Sequence, residues 1–259
     1  MPDIQSEPDR RRVAIDKVGV KEIKLPVTLA TPSGGEVETV ADINMYVSLP
    51  ADRKGTHMSR FLEVIGDYRS GMQPTRIVEL CQHLRRTLDA ADAHVEMSFP
   101  YFITKRAPVT ELPGVMDYRC RFIGTSTPTC DDVILSVSAP ATSLCPCSKE
   151  ISEYGAHNQR CLITADVRTT ETVWIEDLVS AIESAASCPV YSVLKRPDEK
   201  LVTEQAFENP KFVEDIVRDL ALILDEDSRM TWFHVRSENF ESIHSHNAYA
   251  EITRGKRSS

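Results

Sequence analysis

Two cysteines and a histidine have a spacing that indicates chemistry in this chain. Cys145 and Cys147 stand one proline apart in the stretch SLCPCSKEISEYGAHNQR, and His157 follows ten residues after the second. Zinc ribbons and thioredoxin-type redox pairs use C-x-x-C, because two intervening residues let both sulfurs meet. A single rigid proline makes a shared ion or a relaxed disulfide between the two sulfurs difficult. The motif therefore matches neither kind of site.

A catalytic metal site is one interpretation of this stretch. Such a site needs three protein ligands and one open position for water. Cys145 or Cys147, His157 and a carboxylate would satisfy this need, and Glu199 in the loop KRPDEK is a candidate third ligand. Sulfur, imidazole and carboxylate donors suit zinc and also a harder ion such as manganese. The alternative is that His157 caps a turn and both cysteines are buried thiols.

A second reactive segment is SENFESIHSHN, which gathers Glu238, Glu241, His244 and His246. A histidine can act as general acid and base near neutral pH, and a nearby carboxylate can orient it or raise its pKa. On a strand, the H-x-H spacing would put both imidazoles on one face, where both would be candidate metal ligands. An exposed polar turn is the competing interpretation.

Basic residues cluster at two places that are candidates for phosphate binding. The clusters are Lys54, His57 and Arg60 in KGTHMSRF, and Lys195 and Arg196 in KRPDEK. The first lies at a predicted helix start, where the backbone amides of the first turn would assist.

Composition and charge exclude some classes of partner. The chain has 259 residues, 41% of them hydrophobic, and a formal net charge of -9, which argues against nucleic acid but not against an anionic substrate. The segment MPDIQSEPDRRR lacks a secretory apolar core, and no apolar run reaches membrane-spanning length. Seven cysteines, an odd number, favour reduced thiols in the cytoplasm. We expect Cys81, Cys120 and Cys161 to pack as small hydrophobes.

The order of predicted elements is strand, strand, helices, strand, strand, and it occurs twice. We assign residues 1–20 to a flexible tail, 21–128 to a first unit and 129–255 to a second. The pattern predicts an α+β chain of two antiparallel sheets, each backed by helices on one face. The stretch from Leu144 to Asn158 is predicted as a long functional loop. Open sheet edges favour a homo-oligomeric ring.

Three apolar patterns carry the helix predictions. PTRIVELCQHLRRTLDAA places Ile77, Leu80, Leu84 and Leu88 on one face, and IEDLVSAIESAAS places Ile175, Leu178, Ile182 and Ala185 in register. NPKFVEDIVRDLALILDED places Phe212, Ile216, Leu220 and Ile223 together. Glu214, beside that face, is either a solvated edge residue or a buried carboxylate aimed into a pocket.

These motifs together resemble one enzyme family. SLCPCSKEISEYGAHNQR, LKRPDEK, NPKFVED, SENFESIHSHNAYA and KGTHMSRF look like the type IB GTP cyclohydrolases, from about Val18 to about Ile252. The resemblance implies a tunnelling fold (T-fold) with two units per chain and a homotetramer. It also implies conversion of GTP to 7,8-dihydroneopterin triphosphate with release of formate. That reaction is the first step toward tetrahydrofolate and, in many bacteria, toward queuosine.

The resemblance also implies roles for the residues already singled out. Cys145, His157 and Glu199 would hold the divalent metal, which is zinc or manganese. Cys147 would be a catalytic thiol, although the two thiols can trade roles. His244 would transfer protons with Glu241 close by, and Glu214 would bind guanine. The triphosphate would be bound by Lys54, His57, Arg60, Lys195 and Arg196.

Two competing classes leave some of these residues without a role. A nitrile reductase of the same fold, with a nucleophilic cysteine, gives no role to His157 or Glu199. A non-catalytic zinc-stabilised or thiol redox protein needs a closed four-ligand site or a strained Cys145–Cys147 bond. That class also leaves the cluster around His244 unexplained.

Overall fold

The computed structural model describes residue 5 and residues 7–255 of the chain. The described strands are β1 (Ile15–Ala30), β2 (Glu36–Leu49), β3 (Ala93–Arg106), β4 (Pro113–Ser126), β5 (Asp131–Leu144), β6 (Asn158–Thr169), β7 (Cys188–Pro189), β8 (Met230–Asn239) and β9 (Ala248–Gly255). The described helices are α1 (Met58–Gly66), α2 (Pro74–Thr87), α3 (Pro146–Ile151), α4 (Ile175–Ala185), α5 (Arg196–Glu208) and α6 (Val213–Glu226). None of these helices has both the length and the apolar character that crossing a membrane requires.

The described strands hydrogen-bond in the order β1-β2-β3-β4-β5-β6-β8-β9, and the short β7 pairs with β5. The registers of β1 with β2, β2 with β3, β6 with β8 and β8 with β9 are antiparallel. By contacts the chain separates into two compact units. The first extends to Pro100 and includes Arg121–Leu135, and the second comprises Tyr101–Cys120 and the chain from Ser136 onward. The boundary at residues 128 and 129 stays a prediction.

In the first unit, helices α1 and α2 pack together and α1 also contacts β1. The predicted apolar face of α2 is confirmed, since all four of its expected residues are buried. Strand β2 alternates between buried and less buried residues, with Ala41, Ile43 and Met45 fully buried. The SGG turn before β2 uses Gly34 at a φ of 78°, a conformation that favours glycine.

Strand β1 begins inside the segment predicted as a flexible tail, so that prediction is corrected for residues 15–20. Ile15 pairs with Leu49 and Val18 with Val47, with register shifts along this part of the strand. The backbone hydrogen bonds to β2 hold these residues in the strand, although their sequence, IDKVGV, lacks a clean alternation. Residues 1–4 and 6 of the predicted tail, and residues 256–259 at the other end, lie outside the described residues.

In the second unit, α4 and α6 pack on each other, α4 contacts β6, and α6 contacts β8 and β9. The predicted face of α4 is confirmed in full. For α6 the prediction is correct at Ile216 and Leu220, but Phe212 is 41% exposed. Because the helix begins only at Val213, Phe212 is its N-cap and takes no part in the buried face. Cys81, Cys120 and Cys161 are buried as predicted, and so is Cys188.

Helices α4, α5 and α6 each begin with an aspartate at the third helical position. Each carboxylate accepts the backbone N–H of the N-cap residue: Asp177 from Trp174 at 3.2 Å, Asp198 from Lys195 at 2.9 Å, and Asp215 from Phe212 at 3.0 Å. Such a bond satisfies a donor that the helix leaves unpaired. The segment KRPDEK, predicted as a loop, is therefore the start of α5.

Candidate active site

The C-P-C motif forms the start of helix α3, directly after β5. Cys145 is the N-cap residue, and its Sγ accepts the backbone N–H of Ser148 at 3.4 Å. Pro146 takes the first helical position, where a missing N–H is harmless and a fixed φ is favourable. Cys145 is half-buried and Cys147 is exposed, and both are free thiols. The stretch predicted as a loop thus contains a short helix that places its two thiols in different environments.

The backbone brings Cys145 and His157 together. The Cys145 N–H donates to the His157 carbonyl at 3.1 Å. The Ser148 hydroxyl donates to the Cys145 carbonyl at 3.2 Å and accepts the His157 N–H at 3.2 Å. These three hydrogen bonds join the two ends of the segment, so the backbones of two of the three predicted metal ligands are adjacent.

The imidazole of His157 has two polar neighbours that the sequence analysis missed. Its Nδ1 lies 3.0 Å from Oε1 of Gln159 and 3.2 Å from Oγ of Ser242. Gln159 follows His157 by two positions at the start of β6, and side chains two apart on a strand share a face. That spacing was the available signal. Ser242 comes from the connection between β8 and β9, and it places that connection against His157.

The connection between β8 and β9 carries the predicted proton-transfer residues. His244 and His246 are exposed, and their rings stack with centroids 5.3 Å apart. Both residues lie between strands, so the case of H-x-H sharing one face of a strand does not apply. Glu241, next to Ser242, is half-buried. Glu238, at the end of β8, accepts a hydrogen bond from Asn247 at 2.8 Å.

The donor chemistry of Cys145 and His157 fits a divalent ion such as zinc, which binds thiolate and imidazole. Glu199, the predicted third ligand, is exposed in the first turn of α5. Within the described residues, no three His, Cys, Asp or Glu side chains are arranged to hold a metal ion. The structure therefore joins Cys145 with His157 but does not bring Glu199 into the same group.

Asp198, next to Glu199, is a buried residue that the sequence analysis did not single out. Its Oδ1 accepts the N–H groups of Val109 and Thr110 at 2.8 and 2.9 Å. Its Oδ2 accepts the Thr110 hydroxyl at 2.7 Å and the Lys195 N–H at 2.9 Å. Burial opposes the charged form, but these hydrogen bonds outweigh it and hold the pKa of Asp198 well below its usual range. Asp198 thus fixes the helix turn that carries Glu199 and Arg196.

The remaining predicted residues are found at helix starts. Lys195 and Arg196 begin α5, Glu214 lies in the first turn of α6, and all three are exposed.

The other basic cluster belongs to the first unit. Lys54 pairs with Glu7 at 2.9 Å, and Arg60 donates to the Thr87 carbonyl at 3.4 Å. His57 precedes α1 as its N-cap residue, so this cluster does lie at a helix start as predicted.

The second unit contains a cavity of about 720 Å³, within the size range of small-molecule sites. Its wall includes Asn158, which follows His157 directly, and Phe240, which comes just before Glu241. Arg119 and Arg160 supply positive charge to the same wall. Asp117 also lines the cavity, so the three charged side chains leave it one net positive charge beside the candidate site.

A buried ion pair supports one wall of this cavity. Lys105 Nζ lies 2.7 Å from Glu183 Oε2, donates to the Val190 carbonyl at 3.0 Å, and lies 4.2 Å from the ring centre of Tyr191. The Tyr118 hydroxyl donates to Glu183 Oε1 at 3.0 Å, and burial raises the pKa of Tyr118. Val190 and Tyr191 both line the cavity, so the pair fixes its shape.

Comparison with solved structures defines the class of fold. The uricase from Arthrobacter globiformis aligns with a TM-score of 0.55 over 94% of each chain, at 7% sequence identity. At that identity the likeness shows the fold alone. The chain has the α+β tunnelling fold, as the sequence analysis predicts.

Comparison of sequences then gives the family. The family model described as type I GTP cyclohydrolase folE2 matches residues 1–250. The GTP cyclohydrolase FolE2 of Magnetococcus marinus is 52% identical over 258 residues, covering 100% of this chain and 97% of the relative. That of Geobacter sulfurreducens is 52% identical over 257 residues, covering 99% of each. The chain belongs to the type I GTP cyclohydrolase FolE2 family.

Proposed function

We propose that this chain is a GTP cyclohydrolase of the type IB class, which hydrolyses GTP to 7,8-dihydroneopterin triphosphate and formate. The observation that carries the proposal is the family match over residues 1–250. The hydrogen-bonded pairing of Cys145 with His157 supports it, because the resemblance assigns both residues to one metal. The reaction is the first step toward tetrahydrofolate and toward queuosine.

In the proposed site, Cys145, His157 and Glu199 would hold a divalent ion, zinc or manganese. When bound, such an ion would lower the pKa of a coordinated water and so supply a nucleophile at neutral pH. Cys147, exposed one residue beyond the proline, contacts the reacting part of the substrate as a thiol. His244 takes up and returns protons, and Glu241 orients it.

Substrate binding in this proposal falls to residues at helix starts. The carboxylate of Glu214 accepts the paired donors on the guanine edge, which a carboxylate matches because it has two acceptor oxygens. The triphosphate would be bound by Lys54, His57, Arg60, Lys195 and Arg196.

We also propose a homotetramer of chains with T-fold units at residues 21–128 and 129–255, acting on GTP in the cytoplasm. Strands β1 and β9 stand at the two ends of the strand order. Their outer edges would be paired if chains join edge to edge. The seven free cysteines suit a reducing compartment. Light scattering after size exclusion tests the tetramer, and a monomer that turns over GTP would contradict it.

The activity is tested on the full chain, purified under reducing conditions, stripped with chelator and reloaded with zinc or manganese. GTP is added, and formate and oxidised pterin fluorescence are both measured. We expect product only with metal, and its loss in Cys147→Ala and His244→Ala. Cys130→Ala is the matched control, since Cys130 is also an exposed free thiol. A folded, metal-binding protein that forms no product from GTP would refute the proposal.

A further inference from the structure

A group of buried polar side chains lies behind His157 in the second unit. Ser143, Gln159, Ser237 and Asn239 are all 8% exposed or less. Buried polar groups in folded proteins are hydrogen-bonded, and the direction of each bond is limited by which atoms can donate.

The Ser143 hydroxyl sets the donor-to-acceptor direction of the hydrogen bonds in the whole group. It lies 3.0 Å from the Lys211 carbonyl, which can only accept, so the single hydroxyl hydrogen is used there. Ser143 Oγ must therefore accept from its other neighbours. Asn239 Nδ2 donates to it at 3.0 Å and Gln159 Nε2 at 3.4 Å. Ser237 Oγ donates to Asn239 Oδ1 at 3.1 Å, which agrees with the same amide orientation.

The orientation of the Gln159 amide decides where the hydrogen sits on His157. With Nε2 turned toward Ser143, Oε1 faces His157 Nδ1 at 3.0 Å. An amide oxygen only accepts, so Nδ1 must carry the hydrogen. Ser242 Oγ, at 3.2 Å from Nδ1, is then a second acceptor. In a neutral imidazole the lone pair is consequently on Nε2.

We propose that Gln159 is a positioning residue that holds His157 as the Nδ1–H tautomer and thereby presents Nε2 to the metal ion. The inference rests on the proposed function, in which His157 is a ligand. Metal-binding imidazoles usually donate their second N–H to an oxygen, which fixes both ring orientation and tautomer. A buried glutamine does this without adding a charge beside the site.

The first test needs neither metal nor substrate. The chelator-treated full chain is labelled with ¹⁵N-histidine, and long-range ¹H–¹⁵N spectra are recorded at about pH 8.5, where an ordinary imidazole is neutral. The signals of His157 are identified by their loss in His157→Asn. We expect a protonated Nδ1 and an unprotonated Nε2.

Two substitutions separate positioning from simple packing. Gln159→Leu removes the acceptor, and we expect the Nδ1–H signature to be lost. Gln159→Glu keeps an acceptor at that place, and we expect the signature to remain. Gln82→Leu is the control, because Gln82 belongs to the first unit and its Nε2 donates to Asp131 Oδ2 at 2.6 Å. An Nε2–H tautomer in the wild type, or an unchanged spectrum in Gln159→Leu, would overturn the inference.

The second test is zinc affinity, measured by competition with a chromophoric chelator. We expect Gln159→Leu to weaken zinc binding by about 10–100-fold. Gln159→Glu, which keeps an acceptor for Nδ1, should retain more affinity than Gln159→Leu, and Gln82→Leu should stay close to the wild type. Wild-type affinity in Gln159→Leu would contradict the positioning role. If His157 is the Nδ1–H tautomer but the protein does not act on GTP, only the proposed function is refuted. If the protein turns over GTP but His157 is the Nε2–H tautomer, only the positioning role of Gln159 is refuted.

Discussion

The carboxylate of Asp198 and the backbone N–H of Thr110 are hydrogen-bonded at 2.9 Å, although 88 positions separate them in the chain. Thr110 lies between β3 and β4, and Asp198 lies in the first turn of α5. Helix α5 buries only Asp198 and Ala206, so it lacks the broad apolar face that holds most surface helices. A buried anion therefore fixes the helix start from which Glu199 and Lys195 project.

We expect Asp198→Asn to lower Tm by about 5 °C. An asparagine keeps one acceptor oxygen, but its NH₂ group replaces the second oxygen. In the wild type that second oxygen accepts hydrogen bonds, and the NH₂ group cannot accept them. Asp215→Asn is the matched control, because Asp215 occupies the same position of α6 and accepts the same N-cap bond. Differential scanning fluorimetry measures both variants. Equal shifts would show that the contacts to Thr110 add nothing to ordinary capping.

The stabilisation by Asp198 should depend on pH in one direction. Its folded-state pKa is depressed, so the carboxylate stabilises the fold fully above the unfolded pKa of about 3.9. The stabilisation is lost as the pH falls through the lower folded pKa. The gap in Tm between wild type and Asp198→Asn should thus be constant from about pH 7 to pH 5 and narrow below about pH 4. A gap that widens on acidification would contradict this assignment.

Ser148→Ala should loosen the pairing of Cys145 with His157. The hydroxyl makes one bond to each of the two residues, and alanine makes neither. We expect zinc affinity to fall about tenfold, as for other residues that orient ligands. Ser152→Ala is the control, since the Ser152 hydroxyl accepts the nearby Tyr154 N–H at 3.2 Å. Chelator competition measures both, and equal affinities would count against a role for Ser148.

Lys105→Met should lower the free energy of unfolding by about 3 kcal/mol, because it leaves Glu183 as an unpaired buried charge. The side chains of Lys105 and Glu183 are only 16% and 12% exposed. Lys200→Met removes an exposed pair with Glu204, 3.7 Å apart, and should change stability by less than about 1 kcal/mol. Urea denaturation compares the two. Similar losses of unfolding free energy in both variants would mean that the Lys105–Glu183 pair stabilises the fold no more than an exposed pair does.

The sequence predicts best those elements whose burial is periodic. Strand β2 and helices α2 and α4 each present a regular apolar face, and their buried residues follow it. Helix α5 has no such face, and its first residues, KRPDEK, are all polar, so the pattern predicts a loop. The aspartate at its third position was the signal available. The start of β1 was missed because pairing with β2, rather than its own pattern, makes it a strand.

For the candidate site, residue type and spacing predict Cys145 and His157 as metal ligands. In the structure their backbones are hydrogen-bonded to each other. The role inferred for Gln159 could not be obtained from the sequence. It depends on which atom of an amide faces Ser143, and that follows from a hydrogen bond to a backbone carbonyl far along the chain. Asp198 was likewise hidden, because its partners come from the connection between β3 and β4.

The burial of most cysteines gives the folded chain selective reactivity toward electrophiles. Burial raises the pKa of the Cys81 and Cys161 thiols to about 12 and also raises those of Cys120 and Cys188. Since the thiolate is the attacking form, an alkylating reagent at neutral pH should spare these four. The reactive remainder is Cys130, Cys145 and Cys147. In a Cys130→Ala variant, the mass gained by alkylation would therefore report whether a bound metal ion protects the thiols of the C-P-C motif in the intact protein.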